Sequence, residues 1–508
     1  MRALISVFDK NNIVDFAEKL SELGWEIVST GGTYSKLKNE GIKVLSVEDI
    51  TGFPEILDGR VKTLNPKIHA GILYKRDNEE HVNKMKELNL KSFDMIVCNL
   101  YPFEKTLQQT DDENKIIEMI DIGGPSMLRA AAKNFKDVIV VTDSSDYDEI
   151  IERLKNGNVD FGFKKNLAKK VFEKTYQYDN AIYNYFNSDN ESDEFKNNLT
   201  FNFKKESDLR YGENPHQKAA FYLNENLDEK YKAHIKKLHG KEISYNNLVD
   251  LNAAVKYVKY FDKCATVAIK HRNPCGIAVG ENPYESYIKA YECDDESIFG
   301  GIVAFNREVD EKVAKEMSKI FLEIIAAPSF TKEAFDILSK KKNIRLIEID
   351  NLNEMENPKY QVNEVLNGIV IQEHDNSFMN DELDFVTNRK PTEKEIEDLK
   401  FAFLCVKAAA SNGIVVAKDG ATLGIGQGQT KRSRAVEEAL ERAGEKVEGS
   451  VVASDAFFFK DTVELMKKYN VKAVIQPGGS IHDKEVIDYA NENDISVVFT
   501  HIRHFRHS

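Results

Sequence analysis

The sequence predicts an α/β protein made of two parts, and three observations support this fold class. Short apolar strands alternate with amphipathic helices over residues 1–145, which is typical of a mostly parallel sheet with right-handed crossovers. A second alternating stretch runs from about residue 207 to residue 508. Between them, residues 186–206 are polar, charged and poor in aliphatic side chains, so we expect a domain boundary there.

The elements of the first part follow from hydrophobic periodicity. A strand at 3–7 precedes a helix whose apolar residues recur on one face over 13–23. The next strand, 26–29, ends at the turn Thr30–Thr33, which opens a second helix. Further strands are predicted at 44–45, 95–100 and 138–141.

The second part shows the same alternation of strands and helices, and a charged surface connection is predicted at 374–400. The segments GGIVAFNR (300–307) and NGIVVAKDG (412–420) look alike, which hints at two similar subdomains. Strands are predicted at 265–270, 302–305, 414–417, 451–453, 473–475 and 496–499.

Composition excludes several functional classes. Of 508 residues, 42% are hydrophobic and 30% charged, as in a globular protein with real cores. The 84 acidic residues outnumber the 70 basic ones, which argues against a nucleic-acid partner held by phosphate neutralisation. The five scattered cysteines form no CxxC pair, and no apolar run approaches the ~18 residues that span a bilayer. Asp9 and Lys10 come too early for a signal peptide, so we expect a cytoplasmic protein.

Polar clusters of the first part lie where strands end, which is where open α/β sheets bind ligands. The turn Thr30-Gly31-Gly32-Thr33 offers backbone amides at a helix N-terminus, a favourable place for phosphate, although a Gly-Gly turn alone is more often just a turn. The segment 59–73 alternates basic and apolar residues and is either a solvated loop or a second anion contact. In 121–134, Asp121 and Lys133 are either a helix cap and a dipole partner or a pair that moves protons.

The second part has its own candidates. Lys270 and His271 stand at the carboxyl end of an apolar strand, before an Asn-Pro turn, and favour acid/base chemistry. Cys275 lacks a thiolate-activating neighbour, so we expect it to be inert. The acidic string 292–296 has no metal-site periodicity and predicts a solvated loop. GIGQG (424–428) lacks the spacing of a dinucleotide fingerprint, so we reject that interpretation.

Together these motifs resemble the family of bifunctional purine-biosynthesis enzymes that join AICAR formyltransferase (AICAR transformylase) to IMP cyclohydrolase. The resemblance runs nearly the whole length, in the family's order. Its motifs are ISVFDK, STGGT, GRVKTLNPKIHAGIL, CNLYPFE, DIGGPSMLRAAAKN, LRYGENPHQ, IKHRNPCG, SIFGGIVAFNR, SNGIVVAKDG, GIGQGQTKRSRA, ASDAFFFKD, PGGSIHD and RHFRH.

The resemblance implies an N-terminal cyclohydrolase domain at 1–190 with a methylglyoxal-synthase-like, Rossmann-type fold, then a linker at 191–206. It implies a transformylase domain at 207–508, made of two cytidine-deaminase-like subdomains at about 207–370 and 371–508. The zinc signature of true deaminases is missing, so no catalytic metal is implied, while a structural monovalent cation is left open. The family works as an intertwined homodimer with transformylase sites at the subunit interface.

Site residues carry over by motif. In the first domain the implied nucleotide pocket comprises Ser6, Lys10, Thr30, Gly31, Gly32, Thr33, Arg60 and Thr63, and the implied catalytic group comprises Lys62, Tyr101, Asp121 and Lys133. In the second domain the resemblance implies AICAR contacts at Arg210, Tyr211, Phe299, Gly300 and Arg503. It implies a catalytic set of Lys270, His271 and Asn412, and folate contacts at Glu323, Phe457 and Asp461.

The implied reactions are formyl transfer from 10-formyltetrahydrofolate to AICAR, giving formyl-AICAR, and cyclisation of formyl-AICAR to IMP. One departure is visible, because DAFFFKD is a residue shorter than the expected DAFFPFRD, which affects the placement of Phe457 and Asp461. Two alternatives stay open at this point: an enzyme with one active half, and a phosphate-ligand sensor. Supplying formyl-AICAR and following IMP tests the first alternative, and the second predicts ligand binding without turnover.

Overall fold

The structure is a computed structural model that describes residues 1–187, 195, 197–224, 227–377 and 383–507. It divides into two compact units, Met1–Thr200 and Phe201–Ser508. Parts of the predicted linker 191–206 and of the predicted connection 374–400 lie outside the described residues. Among the helices of the described chain, none combines the length and apolarity needed to cross a bilayer.

The N-terminal unit is a parallel sheet flanked by helices. Its strands are β1 (Arg2–Val7), β2 (Glu26–Ser29), β3 (Val44–Ser46), β4 (Met95–Asn99) and β5 (Ile139–Val141). Its α-helices are α1 (Ile13–Glu22), α2 (Gly31–Asn39), α3 (Val47–Thr51), α4 (Pro66–Leu73), α5 (Glu79–Glu87), α6 (Phe103–Leu107), α7 (Glu113–Ile117), α8 (Gly123–Lys133), α9 (Tyr147–Lys155) and α10 (Phe161–Phe186).

The strand order in this sheet is β3-β2-β1-β4-β5, and every neighbouring pair is parallel. The predicted strands are therefore confirmed, and the predicted apolar face of α1 is buried against the sheet. The order reverses between β1 and β4. Open α/β sheets bind their ligands beyond the carboxyl ends of the strands at such a switch point, so this edge is where a site is expected.

The C-terminal unit contains the remaining elements. Its strands are β6 (Phe203–Leu209), β7 (Ala219–Asn224), β8 (Ile235–His239), β9 (Cys264–Lys270), β10 (Asn273–Gly280), β11 (Ile302–Phe305), β12 (Ile324–Ala327), β13 (Arg345–Ile349), β14 (Tyr360–Val365), β15 (Gly368–Glu373), β16 (Asp384–Phe385), β17 (Ile414–Lys418), β18 (Ala421–Gly426), β19 (Val451–Ser454), β20 (Ala473–Gln476) and β21 (Ser496–Phe499). Its α-helices are α11 (Tyr245–Val258), α12 (Pro283–Tyr291), α13 (Glu311–Met317), α14 (Lys332–Leu338), α15 (Glu393–Val406), α16 (Arg432–Ala443), α17 (Lys460–Lys468) and α18 (Asp483–Glu492).

Twelve of these strands form one sheet that contains the same arrangement twice. The strand order is β16-β21-β20-β19-β17-β18-β10-β9-β11-β12-β13-β8. Outward from the β10–β18 contact, each half has a hairpin, then three parallel strands, then an antiparallel edge strand. The helices follow the same chain order in both halves. We call the half with the β9–β10 hairpin the first half and the half with the β17–β18 hairpin the second half.

The duplication corrects the segment pairing that suggested two similar subdomains. The segment 300–307 forms β11, whose counterpart in the second half is β19, whereas 412–420 forms β17, whose counterpart is β9. The resemblance of the two segments reflects the shared apolar pattern of central strands rather than equivalent positions. All six predicted strands of this part form, whereas the strands β6–β8, β10 and β12–β16 were not predicted.

Equivalent contacts recur in both halves. Asp250 in α11 accepts hydrogen bonds from the backbone N–H groups of His271 (3.1 Å) and Arg272 (2.7 Å) in the β9–β10 turn. Asp398, at the same place in α15, accepts one from Gly420 (2.9 Å) in the β17–β18 turn. Each hairpin is therefore held by a carboxylate from the helix that precedes it.

Candidate functional sites

The N-terminal unit has a cavity of about 490 Å³ at the carboxyl edge of its sheet. It lies at the switch point between β1 and β4, and it brings together every site residue predicted for this unit except Lys133. The predicted residues that line it are Ser6, Lys10, Thr30, Gly31, Gly32, Thr33, Arg60, Lys62, Thr63, Tyr101 and Asp121.

The end of β1 and the N-terminus of α2 form one wall of this cavity. The Thr33 hydroxyl donates to the carbonyl of Val7 (2.8 Å) and accepts from its N–H (3.2 Å), which ties α2 to the end of β1. Thr30 precedes α2, and its side chain does not cap the helix. The backbone amides of the first turn of α2 therefore face the cavity as potential donors to an anion.

Lys62 brings positive charge to the same place. Its Nζ lies 3.0 Å from Oε1 of Glu55, and a Cβ added at Gly31 would lie 3.3 Å from that Nζ. The absence of a side chain at Gly31 leaves room for this close approach, and its φ of +47° also favours glycine. Arg60, by contrast, is 65% exposed and pairs with Glu118.

Asp121 and Tyr101 are the acid/base candidates of the cavity, and both have shifted pKa values. Burial raises the pKa of Asp121, and this is partly offset by the N–H groups of Gly124 (2.9 Å) and Tyr101 and by the charge of Lys62. Burial and the charge of Asp121 also raise the pKa of Tyr101. The phenol therefore stays protonated at neutral pH, while the carboxylate is more basic than usual.

Lys133 lies apart from this group. It is exposed in the last turn of α8, whereas Asp121 precedes the first turn, and it does not line the cavity. Asp121 acts as a cap for α8, because it accepts the Gly124 N–H, and it also faces the cavity. The structural and functional interpretations of Asp121 are therefore compatible, and a catalytic role for Lys133 stays a prediction.

The C-terminal unit presents Lys270 and His271 at the β9–β10 hairpin. The turn residues are His271 and Arg272, with φ of +56° and +66°, so the expected turn at Asn273-Pro274 is corrected: those residues begin β10. Left-handed conformations are costly for residues other than glycine and cluster at functional sites. Lys270 Nζ donates to the carbonyl of Phe299 (2.8 Å), which places Phe299 and Gly300 beside this turn.

Asn412 reaches the same region from the second half. Its side-chain amide donates to the carbonyl of Gln429 (2.7 Å). The N–H of the preceding residue, Ser411, donates to the carbonyl of Arg506 (2.9 Å). The N–H of Arg506 in turn donates to the hydroxyl of Ser411 (3.0 Å). The Arg506 side chain in turn donates to Asn273 (2.7 Å), next to the His271 turn. The three residues of the predicted catalytic set therefore lie on segments that are connected.

A second cavity of about 330 Å³ adjoins Lys270 and His271. Asp294 lines it, and its side chain is only 13% exposed and paired with Arg442, so the expectation of a solvated loop is wrong for this residue. Burial opposes ionisation of Asp294, but hydrogen bonds from Ser297 and the charge of Arg442 lower its pKa overall. Burial raises the pKa of Cys275 to about 12, in agreement with an inert thiol.

Three further predicted residues of this unit, Glu323, Arg210 and Arg503, make the following contacts. Glu323 donates its N–H to the carbonyl of Gly301 (2.9 Å) and its side chain pairs with Arg345 (2.6 Å). The exposed Arg210 and Arg503 lie over the rings of Tyr211 and Phe505, respectively.

Two of the predicted folate contacts, Phe457 and Asp461, lie just before α17 and in its first turn. Phe457 packs edge-to-face on Phe459, and Asp461 is exposed in the first turn of α17. Within the described residues, neither is tied to Lys270 or His271 by a hydrogen bond or an ion pair. No cluster of three or more potential metal ligands occurs in that part of the chain either.

Three residues that matter to these sites were not found from the sequence: Glu55, Asp250 and Arg506. Asp250 carries a signal, because it is the acidic residue of this helix and stands between the apolar Val249 and Leu251. Glu55 carries none, because it lies in a stretch without helix or strand periodicity. Arg506 carries none as a site residue, because its partners are distant from it along the chain.

Comparison with known proteins finds two matching family models and full-length relatives. Residues 12–126 match the family model described as MGS-like domain, and residues 131–442 match the one described as AICARFT/IMPCHase bienzyme. Proteins named bifunctional purine biosynthesis protein PurH are similar over the full chain. Those of Acetivibrio thermocellus, a Thermoanaerobacter species and Oceanobacillus iheyensis are 51%, 52% and 50% identical, each covering 100% of this chain and 99% of its own length.

Proposed function

The chain belongs to the AICARFT/IMPCHase bienzyme family, and we propose that its two units divide the two reactions of this purine-biosynthesis enzyme. The C-terminal unit transfers the formyl group of 10-formyltetrahydrofolate to AICAR, and the N-terminal unit closes the ring of formyl-AICAR to IMP with loss of water. The observation that carries this division is the cavity at the β1–β4 switch point, which gathers the cyclohydrolase-type residues in one unit.

Ring closure needs no cofactor, only a pocket that holds two reacting groups together. The amides at the start of α2, with Lys10, would hold the nucleotide phosphate. Attack of the carboxamide nitrogen on the formyl carbon places negative charge on the formyl oxygen, which the Lys62 ammonium would stabilise. Holding the two groups in contact supplies much of the acceleration.

Proton transfer in the N-terminal cavity follows from the shifted pKa values. Asp121, whose pKa is raised, is suited to accept the proton that the carboxamide nitrogen loses. Tyr101, whose phenol stays protonated, is suited to donate to the oxygen that leaves as water. We assign these two roles to Asp121 and Tyr101, and none to Lys133, which lies at the other end of α8.

Formyl transfer is the harder step, because the AICAR amine is a weak nucleophile whose lone pair is delocalised into the ring. His271 would remove its proton, and Lys270 would protonate the departing folate nitrogen. Asn412 would orient the formyl oxygen and donate to its developing charge. Ring closure drains the product of this weakly driven transfer, which gives a physical reason for one chain to hold both activities.

We also propose a homodimer in the cytoplasm. Two hairpins, β6–β7 and β14–β15, stand outside both large sheets, and isolated two-stranded ribbons are marginal by themselves. The second exposes Val362, Val365, Leu366 and Val370, with Leu366 fully accessible, and the first leads into Arg210 and Tyr211. A second copy that covers these ribbons would bury the apolar residues and complete the AICAR site. The free thiols of the five cysteines suit a reducing compartment.

The test supplies each substrate separately and compares Lys62→Met with wild type. With AICAR and 10-formyltetrahydrofolate, wild type should yield IMP, and the variant should accumulate formyl-AICAR. With formyl-AICAR alone, the variant should lose at least about 100-fold in the rate of IMP formation, because the oxyanion loses its cation.

Lys43→Met, a surface lysine outside the cavity, is the control and should match wild type. Loss of formyl transfer together with ring closure in a folded Lys62 variant would contradict the division into two sites. Wild-type protein that binds formyl-AICAR without turnover would favour a sensor instead.

A further inference from the structure

We propose that Arg506 is a positioning residue for formyl transfer, because it ties the turn that carries His271 to the segment that carries Asn412. The inference rests on the function proposed for the C-terminal unit. It adds a residue that takes no part in the chemistry but sets the distance between the two segments that do.

The contacts of Arg506 reach both segments. Its Nη2 donates to Oδ1 of Asn273 (2.7 Å) and its Nη1 to the carbonyl of Arg272 (3.3 Å), both in the hairpin of His271. Its backbone forms the two hydrogen bonds with Ser411 described above. The guanidinium also lies over the ring of Tyr257, 6.0 Å from its centroid, and hydrogen-bonds to that side chain.

The tie matters because the two segments belong to different halves of the sheet. The halves meet at β10 and β18, where the register contains one pair, Ala278 with Ala421. Near the His271 turn, the strand ladder does not hold the halves together, although Gln427 donates to the carbonyl of Pro274 (3.2 Å). A planar guanidinium has several donors in a fixed geometry, so it can bridge two acceptors at once, which an ammonium cannot do as well.

The duplicated half provides an internal comparison. The segments after β21 and after β13 begin with similar contacts. After β21, the His504 N–H donates to the backbone carbonyl of Asp455 (3.1 Å). After β13, the side-chain amide of Asn353 donates to the backbone carbonyl of Asn306 (3.0 Å). Beyond this point the two segments differ. Arg506 enters the cleft beside the His271 turn, whereas the equivalent cleft beside Asp419 and Gly420 is a cavity of about 610 Å³.

The experiment measures steady-state formyl transfer and ring closure in Arg506→Met, Asn273→Ala and the double variant. We expect kcat for formyl transfer to fall 10- to 100-fold in each single variant, with the KM for AICAR within about twofold of wild type. The double variant should fall no further than Asn273→Ala, because that variant already removes the acceptor of the tie and also the hydrogen bond from the Asn273 amide to the His271 carbonyl (3.2 Å). Ring closure in the same chain should be unchanged.

Arg307→Met is the matched control, because Arg307 also donates to two backbone carbonyls, of Asn306 and Asp262, but at the end of β9 opposite the His271 turn. It should leave kcat for formyl transfer unchanged. Melting temperatures of all variants are recorded, and Asn273→Ala alone breaks the tie if Arg506→Met does not fold.

Unchanged kcat in Arg506→Met, or losses that multiply in the double variant, would overturn the positioning role. These outcomes are separable from failure of the proposed function. If His271→Asn abolishes formyl transfer while Arg506→Met does not affect it, only the positioning role is wrong; if His271→Asn keeps full activity, the proposed site itself is wrong.

Discussion

The two hairpins at the centre of the C-terminal sheet have the same turn geometry but different residue types in the turn. In the second half, the β17–β18 turn is Asp419-Gly420, with φ of +53° and +68°, which is a favoured pair for a two-residue hairpin. In the first half, the equivalent turn is His271-Arg272, with φ of +56° and +66°. A left-handed conformation costs roughly 1–2 kcal/mol for a residue other than glycine, so the first turn has this cost at two residues and the second at Asp419 alone.

The contacts that support the two turns are nearly identical. Lys270 Nζ donates to the Phe299 carbonyl (2.8 Å), and Lys418 Nζ donates to the Glu448 carbonyl (2.9 Å). The residues that follow these carbonyls are Gly300 and Gly449, both with positive φ. The lysine contact is therefore a feature of the repeated fold.

The two halves differ in the residue types at and near these turns, although the supporting contacts are alike. His271 stands where the second half has Asp419, and Asn412 stands just before β17, where the first half has the start of β9. The comparison teaches that strain and residue type, rather than hydrogen-bond geometry, distinguish the half that we propose to carry the acid/base pair.

The largest expected difference is between His271→Asn and Asp419→Asn. Asparagine tolerates left-handed backbone, so both variants should fold. We expect His271→Asn to lose roughly 100- to 10,000-fold in kcat for formyl transfer, because the general base is gone. Asp419→Asn should stay within twofold of wild type. Steady-state assays with AICAR and 10-formyltetrahydrofolate measure both, and equal losses would remove the distinction between the halves.

A smaller difference is expected between Lys270→Met and Lys418→Met. Each loses one charged hydrogen bond to a carbonyl, so both should lose about 1 kcal/mol of unfolding free energy. Only Lys270→Met should also slow formyl transfer, by about 100-fold, since only this ammonium faces the proposed site. Urea unfolding and turnover are measured on the same samples. A Lys270 variant with normal turnover would reduce its role to the structural contact that Lys418 makes.

The smallest effect should have opposite signs in the two halves. Arg272→Gly relieves the left-handed strain and should raise the unfolding free energy by about 1 kcal/mol. Gly420→Ala adds strain at φ +68°, and its Cβ would lie 2.7 Å from Cγ2 of Val279, so it should lower the unfolding free energy by at least about 1 kcal/mol. Denaturant midpoints decide the signs, and stabilisation by both substitutions would refute the strain argument.

Much of the fold was accessible from local patterns. The strands at 3–7, 26–29 and 302–305 were predicted within a residue or so, because apolar runs between turn residues are a local signal. The strands β12 and β13 were not predicted, although they are buried, since a short apolar run resembles part of a buried helix. The turn at His271-Arg272 was missed in favour of Asn273-Pro274, because its left-handed residues lack the usual glycine or asparagine.

The candidate sites were partly accessible as well. Thr30–Thr33 and the stretch around Lys62 were recognised from turn chemistry and basic residues, and the structure places them in one cavity. The role of Asp294 was misjudged, because an acidic string looks solvated until its partner Arg442 is known, and that partner is distant in the chain. Arg506 was missed for the same reason, whereas Glu55 is close in the chain to its partner Lys62 but lies in a stretch without helix or strand periodicity.

The sequence alone determined the alternating elements, the polar clusters after the strands and the family resemblance, because each of these depends on residues close together in the chain. Only the tertiary structure decided that Lys133 lies outside the cavity that Asp121 lines, that Asp250 and Asp398 hold equivalent turns, and that Arg506 joins segments from both halves. Those relations depend on contacts between distant residues, and a contact of that kind leaves no periodic trace in the sequence of either partner.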